Sequence, residues 1–202
     1  MNRTWILAAA ICGAIINTSA FSAGSVEAGA AKAVTCGACH GANGNSVNPE
    51  WPSLAGLGAD YIAEQLSNFK SGKRVNAIMM GMVAALSPDD YADLGAYFDS
   101  LTNTGLESDP SFWQAGQKLF RGGDPSRGIP ACMACHGPTG AGNEPAKFPA
   151  LRGQHSVYVV KQLNDYASAA RTTGPNGVMQ TIAKRLSPDD MRNLAAYVQG
   201  IR

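Results

Sequence analysis

The pentapeptide Cys-x-x-Cys-His occurs twice in this chain of 202 residues, as Cys36-Gly37-Ala38-Cys39-His40 and as Cys132-Met133-Ala134-Cys135-His136. That spacing serves one chemistry well, the covalent attachment of c-type haem. Two thiols three residues apart form thioethers to the haem vinyl groups, and the next residue places an imidazole under the iron. Cys36, Cys39, Cys132 and Cys135 are therefore the expected attachment points for two haem c groups, with His40 and His136 as proximal ligands. A single copy could be half of a zinc site or a redox dithiol. Two copies embedded in a longer repeat make those readings poor. Cysteines of exported proteins usually pair as disulfides, but the His after each pair argues against that here. Two haems on 21.0 kDa of protein point to electron transfer.

For the opposite face of each iron the chain offers His155 and several methionines. Met79, Met80 and Met82 all lie in a suitable place in the first half, and the repeat selects among them. Only Met79 has a methionine in register, Met179, and each lies about forty residues after its haem histidine. Met79 and Met179 are thus the expected distal ligands, with Met80 and Met82 as fallbacks. His155 aligns with Gly58, has no repeat partner, and reads as a surface or hydrogen-bonding residue. A thioether opposite His stabilises ferrous iron and raises the potential. It also fills the sixth position, so that such a haem passes electrons but does not readily bind oxygen or peroxide.

The elements that must position these residues are duplicated too. Trp51-Pro52-Ser53-Leu54-Ala55-Gly56 matches Phe148-Pro149-Ala150-Leu151-Arg152-Gly153, and Tyr61, Gln65 and Leu66 match Tyr158, Gln162 and Leu163, all at an offset of 97. Asn76, Met79 and Leu86-Ser87-Pro88-Asp89-Asp90 match Asn176, Met179 and Leu186-Ser187-Pro188-Asp189-Asp190 at an offset of 100. The second copy is therefore three residues longer between these blocks. Ser87 and Ser187 suit helix N-caps, Pro88 and Pro188 the first helical position, and the paired aspartates the positive end of the helix dipole. Behind them Tyr91, Leu94, Tyr97 and Phe98, and Met191, Leu194, Tyr197 and Val198, recur at helical spacing as core stripes. Further helices are expected over 61–69 and 158–166, and others start near Val26 and Phe112 and run up to the haem motifs. No run of alternating β-branched residues appears, so the expected fold is all-α, with two tandem domains over 23–101 and 111–202 and an aperiodic linker over 102–110. Units this small have thin cores, which a covalently held haem would fill.

Arg3 precedes an apolar run from Trp5 to Ile16, and small residues follow it, so residues 1–22 read as a cleaved signal peptide. The run is too short to span a membrane comfortably. Cys12 leaves with it, and Ala9-Ala10-Ile11-Cys12-Gly13 lacks the small residue expected before a lipoprotein cysteine. The four remaining cysteines are those of the two motifs. An exported chain of this kind points to the bacterial periplasm. Residues 23–104 carry eight acids against Lys32, Lys70, Lys73 and Arg74, a net charge of −4, whereas residues 105–202 carry eleven bases against seven acids, a net charge of +4. Such a dipole would orient the molecule between partners of different charge. No basic cluster or reading motif suggests a nucleic-acid partner.

On the two Cys-x-x-Cys-His motifs, the Pro-x-Leu-x-Gly segments at Pro52 to Gly56 and Pro149 to Gly153, the Met region and the short linker, the chain resembles the di-haem cytochrome c4 family. Members of that family consist of two class I cytochrome c domains in tandem. The resemblance spans the whole mature chain. It implies that the carbonyls of Pro52 and Pro149 accept a hydrogen bond from the proximal imidazoles, a contact that orients and tunes a metal ligand. It also implies that the first and last helices of each domain cross at a glycine, Gly29 and Gly116, facing Tyr97 and Tyr197. Phe120 neighbours the second crossing where the first has Ala33, so the first is expected to pack more loosely. The resemblance further implies an electron carrier, not an enzyme, between a redox protein donor and a terminal oxidase such as a cbb3-type oxidase, with peripheral inner-membrane association. The competing expectations are a cytochrome subunit of a dehydrogenase or sulfur-oxidising complex and a di-haem peroxidase. The peroxidase needs an openable haem, against which two in-register methionines argue.

Overall fold

The computed structural model describes residues 24–201. The signal peptide read over residues 1–22, with Cys12, lies outside them. The described residues form ten α-helices, three short 3-10 turns and no strand, with β pairing confined to two isolated bridges. The all-α expectation holds.

In the first half, Ser25 caps α1 (Val26–Lys32) by accepting a bond from the Ala28 amide. At Ala33 the chain breaks and restarts as α2 (Val34–His40), which carries the first motif. Then follow α3 (Ala59–Lys70), α4 (Ala77–Met82) and α5 (Pro88–Ser100). Helices α1 and α3 both pack on α5. The second half repeats the plan with α6 (Trp113–Gly122), α7 (Met133–His136), α8 (Ser156–Ala167), α9 (Val178–Ala183) and α10 (Pro188–Gly200), α6 and α8 packing on α10.

The last helix of each half starts where its sequence dictates. Ser87 accepts a bond from the Asp90 amide while Asp90 accepts one from the Ser87 amide, and Ser187 and Asp190 do the same. Each such cap contributes about 1 kcal/mol. The stripes behind them are core: Leu94 and Phe98 join Ala33, Leu57 and Ile62, while Met191, Leu194, Tyr197 and Val198 join Leu119, Phe120 and Ile129.

The crossings occur at the expected glycines. A Cβ added at Gly29 would lie 2.0 Å from the Asp93 carbonyl oxygen, and one added at Gly116 would lie 1.9 Å from that of Asn193. The backbones thus approach equally closely in both halves, and the looser first crossing inferred from Ala33 is not found. Phe120, fully buried, packs against Tyr197 with ring centroids 5.3 Å apart and planes tilted by 58°. Ala33, in the matching place of the first crossing, is itself buried with Leu57, Ile62, Leu94 and Phe98.

A second departure lies ahead of the second motif, where the helix does not run on. Helix α6 stops at Gly122, and Gly123 takes a φ of +64°, a conformation glycine adopts without strain. A loop follows with a 3-10 turn over Pro125–Arg127, and Pro130, which lacks an amide hydrogen, keeps it from continuing a helix. Arg127 pins the loop by pairing with Asp124 and with Asp190 at the start of α10, both at 2.6 Å.

The halves meet through repeat-related residues of α3 and α8. Arg74 donates to Gln65 of its own domain at 3.0 Å and to Tyr158 and Gln162 of the other, both at 2.8 Å. Arg171 reciprocates, donating to Gln162 at 2.7 Å and across to Tyr61 and Gln65 at 2.9 Å each. Arg74 lies over the Phe69 ring and Arg171 over that of Tyr166. Both guanidiniums are buried. Burial would raise the Tyr61 hydroxyl, but the cationic Arg171 and Arg74 outweigh it and lower it.

Candidate functional site

The two motifs occupy equivalent places. His40 ends α2 and His136 ends α7, and both are buried. The turn away from each motif requires a glycine: Gly41 takes φ +82° and Gly137 +78°, and a Cβ at Gly41 would lie 2.1 Å from the Asn45 carbonyl oxygen. That turn returns the chain so that the His40 Nδ1 hydrogen bonds the Pro52 carbonyl at 2.8 Å and the His136 Nδ1 hydrogen bonds the Pro149 carbonyl at 2.9 Å. Because a carbonyl only accepts, Nδ1 carries the proton in both rings and Nε2 keeps its lone pair. Burial holds both imidazoles below the ordinary histidine value, which favours the neutral form.

Cys36, Cys39, Cys132 and Cys135 are half-buried and unpaired. Burial pushes the Cys132 thiol up to about 11 and raises that of Cys36. Among the described residues no three His, Cys, Asp or Glu side chains gather into a metal-binding cluster. An open cavity of about 650 Å³ lies between the residues preceding the second motif, Ile129, Pro130 and Ala131, and Val178 and Ile182 of α9. Free thiols beside imidazoles with an available Nε2 fit a haem.

Met79 is half-buried on α4, and Asn76 caps that helix by accepting from the Met79 amide at 3.0 Å. Met80 and Met82 are 37 % and 45 % exposed. Met179 is half-buried near the start of α9. Asn176, although it matches Asn76 in sequence, is no cap: it lies in the 3-10 turn Pro175–Gly177 with φ +52°. The three extra residues of the second copy fall here, and Thr173 accepts a bond from Arg171 Nε at 3.1 Å.

His155, read as surface or hydrogen-bonding, is buried and hydrogen-bonds the Ser46 carbonyl of the other domain at 2.8 Å. Its neighbour Gln154, which sequence reasoning passed over, makes two bonds to Ser53 across the same boundary. Arg74 and Arg171 were also missed, although they stand in register at the offset of 97 that relates Gln65 to Gln162.

A fold with two such histidine-proline pairs defines a tandem c-type cytochrome. The cytochrome c family model matches residues 26–102 and 113–202. Cytochrome c4 of Pseudomonas aeruginosa is 46 % identical over 183 residues, spanning 90 % of this chain and 91 % of that protein. The crystal structure of reduced recombinant cytochrome c4 from Pseudomonas stutzeri superposes with a TM-score of 0.86 at 43 % identity, covering 89 % of this chain and all of that one. A thiosulfate dehydrogenase electron acceptor of Thiomonas intermedia is 38 % identical, over 83 % of this chain and 78 % of that protein. The chain belongs to the cytochrome c4 family, whose two cytochrome c domains each carry a covalently bound haem c.

Proposed function

We propose that this protein is a periplasmic electron carrier that takes single electrons from a respiratory donor and delivers them to a terminal oxidase, making and breaking no substrate bonds. The observation that carries the reading is the duplicated geometry of the histidines, each fixed through Nδ1 to a proline carbonyl at 2.8 and 2.9 Å with Nε2 kept for iron. Bound haem supplies a one-electron ferric/ferrous couple. Cys36 and Cys39, and Cys132 and Cys135, tether the two groups. His40, His136, Met79 and Met179 would ligate the irons, and Pro52 and Pro149 would hold the imidazoles. The mature chain begins near residue 23, and residues 102–110 link domains over 23–101 and 111–202. Opposite net charges on the two halves present different faces to donor and acceptor. Among the described residues no helix is long and apolar enough to cross a membrane, so contact with the inner membrane would be peripheral.

Spectra of the methionine variants test the ligand set. Met79→Ala and Met179→Ala are each expected to convert one haem from six-coordinate low-spin, whereas Met80→Ala and Met82→Ala leave both spectra intact. An unchanged oxidised spectrum in Met79→Ala would refute the register argument. A second reading, a cytochrome that serves a sulfur-oxidising dehydrogenase, is favoured by the likeness to the thiosulfate dehydrogenase electron acceptor. Co-purification of the native protein with a dehydrogenase, and its reduction by that enzyme in place of a respiratory donor, would favour it. A di-haem peroxidase requires a haem that opens, and an inert response of both haems to peroxide would dismiss it.

A further inference from the structure

The two domains are not braced alike around their proximal histidines. In the second, the loop from Gly137 to Pro149 closes on itself: Asn143 and Phe148 exchange backbone bonds at 2.8 and 3.0 Å, and the Asn143 side chain caps the intervening turn Glu144–Ala146. The matching loop of the first domain, from Gly41 to Pro52, has no such bridge among the described residues. Within its own domain Ser46 ties that loop, its amide donating to Ser53 Oγ at 3.2 Å and its hydroxyl to the Cys39 carbonyl at 3.3 Å, and the second domain adds a clamp on the same two serines. Gln154 Oε1 accepts from the Ser53 amide at 2.9 Å, Gln154 Nε2 donates to the Ser53 carbonyl at 2.9 Å, and His155 Nε2 donates to the Ser46 carbonyl at 2.8 Å. All four residues are buried, Gln154 and His155 at 5 % and 6 % exposure.

The Ser53 amide and the Pro52 carbonyl belong to one peptide group. That group therefore accepts from His40 at its oxygen and donates to Gln154 at its nitrogen, which makes a three-member hydrogen-bond chain from Gln154 through the peptide to the imidazole. Each bond in such a chain polarises the next. A peptide whose N–H is engaged by an amide oxygen is a stronger acceptor at its carbonyl, and a stronger acceptor at Nδ1 raises the basicity of the ligand and stabilises the oxidised metal. The reciprocal arrangement cannot form, because the residues that match Gln154 and His155 are Leu57 and Gly58.

We infer that Gln154 and His155 of the second domain are positioning residues for the first haem, holding the Pro52–Ser53 peptide so that it lowers that haem's potential relative to what the first domain alone would set. The inference rests on His40 being the proximal ligand and Pro52 its acceptor. The test is a redox titration of the full di-haem protein with the haem-methyl NMR signals assigned to each domain. Gln154→Leu, which installs the residue of the first domain, is expected to raise the reduced-to-oxidised ratio of the first haem about tenfold at fixed potential, about 59 mV for one electron. The second haem should move less than twofold, and the His40 Nδ1 proton should shift as its hydrogen bond weakens. His155→Ala, which removes only the Ser46 tether, should shift the first haem in the same direction by less. Gln154→Met, closer in shape and equally unable to accept, carries the same expectation and decides the matter if Gln154→Leu does not accumulate. A first haem that stays within twofold of wild type, or two haems that shift together, would overturn the inference. Loss of the low-spin His/Met spectrum of the first haem in the wild-type protein would instead overturn the ligand reading beneath it.

Discussion

The two halves of this molecule hold the same site by different means. In each, an imidazole is buried at a helix end and bonded to a proline carbonyl at nearly the same distance. Around the second histidine the support is local, a loop closed by its own backbone bridge. Around the first, local bonds of Ser46 are supplemented from the other domain through Gln154 and His155. The histidine–proline pair is thus common to both halves while its bracing differs, and only the first is bonded across the boundary by a Gln-His pair.

The largest test of that asymmetry removes one haem at a time. Cys132→Ala with Cys135→Ala should yield one haem per chain by mass and leave the second domain poorly folded, because its thin core lacks the apolar group. The first haem should then also be perturbed, since its clamp is lost. Cys36→Ala with Cys39→Ala should leave the second haem close to its native spectrum. Equal disturbance in both directions would break the comparison.

Next in size is the helix crossing, where the halves should respond alike. Gly29→Ala and Gly116→Ala each force a Cβ within about 2 Å of a backbone oxygen, and each should cost about 3 kcal/mol in denaturant unfolding. A clearly smaller loss at Gly29 would restore the idea of a looser first crossing.

The arginine bridge should cost somewhat less. Arg74→Met removes the donor to the Tyr158 hydroxyl and Arg171→Met the donor to that of Tyr61, while Gln65 and Gln162 each keep one of their two arginines, a loss of about 2 kcal/mol each. They should also split unfolding into two steps as the domains separate. Arg171→Met should be the more severe, because it also frees Thr173.

The smallest effect is a pH dependence that differs between the halves. Ser126 and Arg127 hold the Asp124 carboxyl down to about 2, and Arg127 holds Asp190 below the usual carboxylate range. Depressed carboxylates stabilise the fold above their unfolded values and lose that contribution as pH falls through the folded ones. Arg127→Gln should therefore weaken the second domain modestly at neutral pH and be silent near pH 2 in acid unfolding. Lys32, which pairs with Asp90 and Asp93 at 2.6 Å, holds both below the usual carboxylate range and Asp90 lower than Asp124, so Lys32→Gln should weaken the first domain modestly at neutral pH and keep part of that effect near pH 2, where Arg127→Gln is silent.

How much of this was legible in the sequence depended on range. The haem motifs and the caps at Ser87 and Ser187 were readable because each is a local pattern or a repeated one. The proline carbonyls and the glycine crossings became readable only through the family resemblance. The stop of α6 at Gly122 was signalled by Gly122-Gly123 and Pro125. His155 and Gln154 were hidden for a physical reason: their partners lie about a hundred residues away in sequence, and the repeat supplies no counterpart to flag them. Arg74 and Arg171 were in register and could have been found by asking why two arginines recur beside paired glutamines and tyrosines.

The central claim is that both domains present a closed His/Met haem suited to carrying electrons. A potentiometric titration of the purified di-haem protein, followed by its visible spectrum, tests it most directly. The account predicts two one-electron steps, both at high potential. One high and one very low potential would contradict it by showing that the two irons have unlike ligands.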